Sequence, residues 1–225
     1  MATITVTGLG PGRAGLITRE SWDIMASAQR LVLRTRIHPT VEAITAAGME
    51  FTTYDGFYEE AADFESLYAA IARDLLRRAE TEGDLVYAVP GSPLVAERTV
   101  VLLRDLAKES DVKVDILPGM SFVEVMYTRL GIDPIDGLTI IDAEDVATLK
   151  ERPAQSLVIT QVYSQPIASD TKLMLMDLYP DEYEVTYIHN LALPDESIRQ
   201  IPLYELDRQK DVDHLTSLFI RAKSE

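Results

Sequence analysis

Short runs of β-branched and aliphatic residues alternate with amphipathic stretches in the first half of the chain. Residues 3–7, TITVT, are all β-branched and predict a strand. In residues 63–81 apolar side chains recur three and four positions apart, which predicts a helix with one buried face. The same pattern predicts further strands at 31–33, 50–54, 84–89 and 113–117, and further helices at 18–29, 95–108 and 121–130. This alternation is typical of an α/β domain with a mostly parallel sheet.

The pattern changes after a turn-rich linker at residues 131–137. One helix is predicted at 166–179, and strands are predicted at 138–141, 156–161, 183–190 and 215–222. The last two strands are separated by a loop-rich stretch, which favours a mixed sheet. We therefore predict two α/β domains, residues 1–117 and residues 118–225, of which the second contains the mixed sheet.

Composition and charge exclude several classes of protein. The 225 residues contain 21 Lys and Arg against 37 Asp and Glu, a net charge of −16, so we expect no nucleic-acid partner. No apolar run reaches the roughly 18 residues of a membrane span, so we expect no membrane association. The absence of cysteine excludes a disulfide scaffold and a thiolate zinc site. The N-terminus has neither the basic nor the apolar region of a signal peptide, so we expect a cytoplasmic protein.

Three glycine- and proline-rich turns each follow a predicted strand and precede a helix: GLGPG at 8–12, PGSP at 90–93 and PGMS at 118–121. Ligands of open α/β sheets bind outside the carboxyl ends of the strands, and glycine lets a backbone approach a ligand closely. Any one turn can simply end its strand, whereas three together favour a shared pocket. GLGPG has neither the dinucleotide-binding spacing nor the lysine of a P-loop. A ligand held by backbone carbonyls and apolar walls therefore fits better than a polyphosphate.

The three turns also carry a family resemblance. GLGPG, followed by LIT at 16–18, resembles the first motif of the tetrapyrrole (corrin/porphyrin) methylases, which are class III S-adenosylmethionine-dependent methyltransferases. DLVYAVPGSPLVAE at 84–97 resembles the family's second motif, and LPGMSF at 117–122 resembles its third. More narrowly, VPGSPLVAE, TQVY at 160–163 and LPDE at 193–196 are similar to the methylase-like domain fused to MazG-type nucleotide pyrophosphohydrolases.

The resemblance implies two α/β domains, with S-adenosylmethionine in the cleft between them, a small-molecule methyl acceptor and a homodimer. It implies cofactor contacts at Pro11, Gly91, Ser92, Leu94, Val95, Ser121, Phe122, Gln161, Val162, Leu191 and Ala192. From the residues themselves, we expect no metal site. We assign no catalytic base, because the sulfonium is already activated and positioning supplies most of the rate enhancement.

One position departs from the family pattern and leaves two functions open. Many of the methylases have Gly-Asp-Pro where this chain has Gly91-Ser92-Pro93. The chain is either a methyltransferase with an unknown acceptor, or a catalytically idle binding and dimerisation module that regulates a fused MazG-type hydrolase. Few residues follow the last predicted strand, which leaves open a further domain after Glu225. A free-standing hydrolase is disfavoured, because no complete set of helical carboxylates is present.

The sequence offers other candidate functional residues, each with a structural alternative. Arg34 and Arg36 could bind substrate carboxylates or serve at the surface, with Arg13, Arg19 and Arg98 as further cations near the predicted loops. The aromatic side chains of Tyr54, Phe57 and Tyr58, in a predicted loop over the pocket, could stack on a flat substrate or pack in the core.

For the remaining candidates, the structural alternative is favoured. The acidic stretch of Glu59, Glu60, Asp63 and Glu65 is expected to be a solvated turn rather than a magnesium site. His38 and Trp22 are expected to have structural roles. His189, at a strand end near the predicted cleft, is the histidine with most functional interest.

Overall fold

The structure is a computed structural model that describes residues 1–60 and 63–222, without the side chains of Glu59 and Glu60. The chain divides into two compact units, unit 1 (Met1–Glu124) and unit 2 (Val125–Glu225). The division falls inside the helix Phe122–Leu130, whereas the sequence-based boundary lies before that helix, between residues 117 and 118. In the described residues each unit contains its own sheet, which agrees with the predicted class of two α/β domains.

Unit 1 is built on a parallel sheet. Its strands are β1 (Ala2–Gly8), β2 (Leu31–Leu33), β3 (Phe51–Thr53), β4 (Leu85–Val89) and β5 (Val112–Ile116). They lie in the order β3-β2-β4-β1-β5, and the described neighbours are parallel to one another. β4 is buried along its whole length, because helices cover both faces of the sheet, and this explains its continuous apolar sequence.

Two of the helices of unit 1 begin at residues whose side chains cap them. They are α1 (Arg19–Ser27), α2 (Val41–Ala46), α3 (Asp55–Glu60), α4 (Phe64–Glu82) and α5 (Arg98–Ala107), followed by α6 (Phe122–Leu130) at the division between the units. The Thr18 hydroxyl accepts a hydrogen bond from the Ser21 amide at the start of α1. The Asp63 carboxylate accepts one from the Ser66 amide at the start of α4. Each bond satisfies an amide that the helix leaves without a partner.

The two faces of the sheet are covered by different helices. Met25 and Trp22 of α1 and Ile44 of α2 pack on one face, so the structural role expected for Trp22 is confirmed. Leu75 of α4 and Leu103 of α5 pack on the opposite face. α1, which follows β1, and α5, which follows β4, therefore lie on opposite sides of the sheet.

The predicted aromatic loop over a pocket is wrong. Phe57 and Tyr58 lie in α3, a short helix that the hydrophobic pattern did not predict, and both pack against the core. Tyr54, just before α3, is buried, and its ring meets the rings of Phe57 and Tyr87 edge to face. The alternative role in the core is the one observed, because aromatic residues at the edge of a small sheet bury large apolar area.

Unit 2 contains the mixed sheet. Its strands are β6 (Leu138–Asp142), β7 (Ser156–Thr160), β8 (Glu184–His189), β9 (Ser197–Pro202) and β10 (Thr216–Ile220), in the order β6-β7-β10-β8-β9. β10 is antiparallel to both β7 and β8, so those two strands run in the same direction. The helix α7 (Gln165–Met176) packs over this sheet. The edge strand β9 was not predicted. No helix among the described residues is both long and apolar enough to cross a bilayer.

Candidate functional site

The direction of the chain reverses in unit 1 between the neighbouring strands β1 and β4. After β1 the chain moves to β2 on one side, and after β4 it moves to β5 on the other side. Because α1 and α5 cover opposite faces, the loops that follow β1 and β4 leave the sheet in opposite directions. Such a topological switch point is where ligands bind in open α/β sheets.

The three predicted motif turns lie together at this point. The Gly10 amide donates to the Gly91 carbonyl at 3.2 Å, and the Gly91 amide donates to the Gly10 carbonyl at 2.9 Å. A β-carbon on Gly8 would collide with the Gly91 carbonyl oxygen, and one on Gly119 would lie 2.9 Å from Cδ of Pro93. The glycines are therefore what allows the loops after β1, β4 and β5 to touch backbone to backbone.

Gly91 leaves open space beside its own backbone. Its φ is 67°, and no atom lies within 4 Å of the position that a β-carbon would occupy. Ser92 and Val95 are partly buried in the same loop, while Leu94 exposes 55% of its surface. Open space at the Cα of Gly91, beside the exposed side chain of Leu94, suits a ligand of moderate polarity better than a phosphate, because the amide and the carbonyl of Gly91 are already bonded to Gly10. In the first loop, Pro11 is partly buried.

The third motif turn uses its serine to start a helix. Ser121 is buried, its hydroxyl donates to Glu124 Oε2, and its hydroxyl oxygen accepts from the Val123 amide at 3.1 Å. Glu124 Oε2 in turn accepts from the Ser121 amide at 2.7 Å, which completes a capping box. The Ser121 hydroxyl proton is thus already donated within unit 1. Phe122, the first residue of α6, is partly buried.

His38 fixes the first motif turn, a role that the sequence did not reveal. Its Nδ1 lies 2.8 Å from the Thr40 hydroxyl, and its ring is hydrogen-bonded to the backbone of Gly10. Burial lowers the pKa of His38 to about 4, although the bond to Gly10 opposes that shift. The imidazole is therefore neutral at pH 7 and holds the loop through hydrogen bonds alone.

Four of the five arginines predicted near the loops are paired with carboxylates of unit 1. The pairs are Arg19 with Asp23 at 2.8 Å, Arg34 with Glu97 at 2.6 Å, Arg36 with Asp55 at 3.5 Å and Arg98 with Glu65 at 2.8 Å. Burial is the largest single effect and opposes the charged form of Arg34, but Glu97, Tyr58 and Tyr87 together outweigh it and raise the pKa of Arg34. The expectation that Arg34 and Arg36 face substrate carboxylates is not supported, because each already has a carboxylate partner.

The acidic stretch before α4 has structural roles where it is described. The side chains of Glu59 and Glu60 lie outside the described residues, Asp63 caps α4 and Glu65 pairs with Arg98. Within the described part of the chain, no group of three His, Asp or Glu side chains is arranged to hold a metal ion.

In unit 2, the predicted contact residues lie in loops of unusual backbone conformation. Because β7 and β8 run the same way, the residues that follow them lie at one edge of the sheet. Gln161 after β7 has φ 59°, while Asn190 and Ala192 after β8 have φ 52° and 68°. Left-handed residues other than glycine persist only where the surroundings impose them, and they cluster at functional sites. Val162, by contrast, is fully buried in the core.

The loop after β8 is held by carboxylates of the LPDE segment. Glu196 Oε2 accepts from the Ala192 amide at 2.8 Å, and Glu196 Oε1 accepts from Arg129 Nε at 2.8 Å. The Asn190 side-chain amide donates to Asp195 at 2.6 Å. These contacts explain why two acidic residues follow Leu191, which is itself buried, and they occupy the amide of Ala192.

His189 lies close to two carboxylates of its own unit. It is 9% exposed, with Nδ1 3.6 Å from Asp211 and Nε2 3.1 Å from Asp213, and among the described residues Nε2 is buried without a hydrogen-bond partner. Arg199 pairs with Asp211 at 2.6 Å, and its guanidinium lies 4.1 Å from the centre of the Tyr187 ring. The cluster ties the segment before β10 to the end of β8, so the geometry favours the structural role for His189.

Known proteins share both the sequence and the fold. The chain is 39% identical over 217 residues to the uncharacterized protein YabN of Bacillus subtilis (strain 168), an alignment that covers 96% of this chain and 44% of YabN. The chain thus spans less than half the length of that relative.

Two solved structures are similar in fold over nearly the whole chain. The methyltransferase CobJ has a TM-score of 0.75 at 16% identity, covering 99% of this chain and 95% of its own. Uroporphyrin-III C-methyltransferase from Thermus thermophilus, solved with S-adenosyl homocysteine, has a TM-score of 0.70 at 18% identity, covering 97% and 92%. At these identities the similarity shows the fold alone.

The sequence profile of the Tetrapyrrole (Corrin/Porphyrin) Methylases matches residues 3–207. That match includes all three motif turns at the switch point of unit 1 and both left-handed loops of unit 2. The chain therefore belongs to the tetrapyrrole methylase family.

Proposed function

We propose that the chain is an S-adenosylmethionine-dependent methyltransferase that acts on a small molecule. The observation that carries this proposal is the meeting of the three motif turns at a topological switch point, joined by the Gly10–Gly91 hydrogen bonds. The neighbour from Thermus thermophilus was solved with S-adenosyl homocysteine, which supports S-adenosylmethionine as the methyl donor.

The residues present fit this donor. Gly91 leaves room for close approach, and Leu94 offers exposed apolar surface for an uncharged part of the molecule. The proposed contacts in unit 1 are Pro11, Gly91, Ser92, Leu94, Val95, Ser121 and Phe122, and in unit 2 Gln161, Val162, Leu191 and Ala192. Ser121 and Val162 would act through their backbones, because the Ser121 hydroxyl caps α6 and the Val162 side chain lies in the core.

Methyl transfer from S-adenosylmethionine requires mainly that the protein bind and orient the two reactants. S-adenosylmethionine supplies a methyl group on a sulfonium that is already a good electrophile. The rigid loops of this chain would hold the donor and exclude water, and positioning of this kind supplies much of a rate enhancement. We assign no catalytic base.

We further propose that the acceptor carries few carboxylates. A polycarboxylate needs several free cations, and four of the five arginines near the loops are already paired. Among the described residues of that set, Arg13 is the one without an ion pair. The test is titration of the chain with an octacarboxylate porphyrin, in the presence of enough S-adenosylhomocysteine to saturate its own site. We expect weak binding of the porphyrin, and tight binding would refute the proposal that the acceptor carries few carboxylates.

Calorimetric titration with S-adenosylhomocysteine tests the proposed function. We expect saturable binding and a rise in the unfolding temperature. Gly91→Ala should abolish binding, whereas Gly48→Ala should retain it, because both glycines have positive φ and open space at Cβ but only Gly91 lies in the motif turns. No heat and no thermal shift at millimolar ligand would refute the proposal.

A second candidate function is a catalytically idle module that binds the cofactor and regulates a fused MazG-type nucleotide pyrophosphohydrolase. Two observations favour it: Ser92 stands where many of the methylases have aspartate, and the chain spans 44% of YabN. Pyrophosphate release by the full gene product, measured with and without S-adenosylmethionine, discriminates the two. A response without any methylated product supports regulation, and release of S-adenosylhomocysteine during turnover supports methyl transfer.

We also propose that the protein is a cytoplasmic homodimer. The absence of cysteine suits a reducing compartment. Light scattering in solution should give twice the chain mass of 25.1 kDa, and a monomer mass would contradict the proposal.

A further inference from the structure

A buried ion pair joins the second motif turn to the end of β2. Arg34 Nη1 lies 2.6 Å from Glu97 Oε2, and the two side chains are 19% and 2% exposed. Arg34 directly follows β2 and Glu97 directly precedes α5. The pair therefore connects two segments that are more than sixty residues apart in sequence.

Contacts other than the one with Glu97 also fix the position of Arg34. Its backbone amide donates to the Ala88 carbonyl of β4 at 2.9 Å, and its Nε donates to the Tyr58 hydroxyl at 2.9 Å. The guanidinium also lies 5.3 Å from the centre of the Tyr68 ring, within the range of a cation–π interaction. Contacts from β4, α3 and α4 thus set the position of the charge that Glu97 binds.

The Glu97 side chain does not cap the helix that it precedes. Its side chain makes no capping hydrogen bond to α5, and among the described residues its second oxygen, Oε1, is buried without a hydrogen-bond partner. The hydroxyl of Tyr87 is likewise buried and unpartnered in the described part of the chain. A carboxylate buried with one oxygen unsatisfied is costly, so stability of the fold does not by itself account for Glu97.

The loop that Glu97 ends contains an unusual backbone conformation. Ala96, the residue before Glu97, has φ 54°, a conformation that a residue other than glycine adopts only when its surroundings impose it. The same loop carries Ser92, Leu94 and Val95, which are proposed cofactor contacts. The Glu97 carboxylate is the attachment point that can hold Ala96 in this conformation from the C-terminal side of the loop.

We propose that Arg34 and Glu97 are positioning residues, which hold residues 91–97 in the shape that receives the cofactor. This inference rests on the proposed function for its ligand. The shape of the loop itself can be measured without any ligand, and the two claims can therefore fail separately.

The test compares Glu97→Gln with a matched surface variant. Glu65→Gln removes the carboxylate of an exposed Arg–Glu pair, Arg98–Glu65, which joins α4 to α5 nearby. Two quantities are measured for each variant: the Kd for S-adenosylhomocysteine, and the hydrogen exchange of the amides of residues 91–97 without ligand. We expect Glu97→Gln to raise the Kd about tenfold or more and to speed exchange in that loop, while Glu65→Gln changes neither.

Arg34 variants supply the rescue measurement. Arg34→Met should match Glu97→Gln, and Arg34→Lys, which keeps the charge, should restore part of the affinity and of the protection. If Glu97→Gln does not fold, the comparison of the two Arg34 variants decides the proposal.

Three outcomes have separate meanings. Unchanged exchange at residues 91–97 in folded variants would overturn the proposal. Exchange that rises equally in β4 and α5, with an unchanged Kd, would also overturn it, because that is the behaviour of a merely structural pair. If the wild-type chain does not bind S-adenosylhomocysteine, the proposed function fails, and the exchange measurement still decides whether the pair holds the loop.

Discussion

Gly8 and Gly91 pack backbone against backbone, so that any side chain on Gly8 would occupy the place of the Gly91 carbonyl oxygen. The contact joins the ends of two neighbouring strands whose loops leave the sheet in opposite directions. The two loops can therefore approach this closely only because residue 8 has no β-carbon.

Replacement of Gly8 tests this contact. We expect Gly8→Ala to lower the free energy of unfolding by about 1–3 kcal/mol, as overpacking of a close contact does. Gly15→Ala is the control, because no atom lies within 4 Å of its β-carbon position. Urea denaturation measures both, and equal stabilities of the two variants would contradict the packing described here.

The left-handed backbone at Ala192 gives a second prediction. Ala192→Gly should leave stability unchanged or slightly higher, because relief of about 1 kcal/mol of backbone strain offsets the entropy lost by glycine. Ala69→Gly, within α4, should instead lower stability by roughly 1 kcal/mol. Thermal unfolding of the two variants provides the comparison, and a larger loss at Ala192 than at Ala69 would refute the assignment of strain.

His38 should make stability depend on pH. Its pKa falls from about 6.5 when unfolded to about 4 in the folded state, so the unfolded chain binds more protons between these values. Stability is therefore full above about pH 6.5 and declines as the pH falls toward 4, by up to about 3 kcal/mol.

The variant His38→Gln isolates this effect, because it has no imidazole to titrate. Urea denaturation across this pH range should give a flatter stability curve for the variant than for the wild type. Parallel curves would show that His38 is not the group responsible.

Arg199 should control the ionisation of Asp211. Its hydrogen bonds are the main cause that lowers the pKa of the Asp211 carboxyl, so this carboxylate stabilises the fold above the ordinary aspartate pKa of about 3.9. That stability is lost as the pH falls through the lowered pKa. NMR titration should show the pKa of Asp211 rising toward its ordinary value in Arg199→Gln.

A matched variant exists in the same unit. Lys172→Gln removes the partner of Asp207, whose pKa is lowered mainly by the hydrogen bond from Lys172. This variant should raise the pKa of Asp207 and leave that of Asp211 unchanged. A shift of Asp211 in both variants would indicate a general loss of structure.

The hydrophobic pattern predicts most of the fold, because the strands of unit 1 are short apolar runs and α4 has a clear apolar face. It misses β9, an edge strand whose sequence, SIRQIP, is too polar to differ from a loop. It also misses α2 and α3, each only six residues long. Short elements are defined by the packing around them more than by their own periodicity.

The motif turns were predictable from sequence, but their supports were not. Glycine and proline mark the turns wherever they occur, whereas the partners of Arg34, His38 and Glu196 follow only from the folded arrangement. The left-handed conformation of Gln161 was likewise not predictable, because glutamine is not a residue type that favours positive φ.

The position of β10 in the sheet of unit 2 determines the distance between the loops that follow β7 and β8. Because β10 lies between β7 and β8, the loops that follow those strands are two strand spacings apart, or about 10 Å. Under the proposed function, a donor that contacts both Gln161 and Leu191 must reach across this distance. The antiparallel strand thus sets the separation of the two loops through the spacing of the sheet, whatever side chains the loops carry.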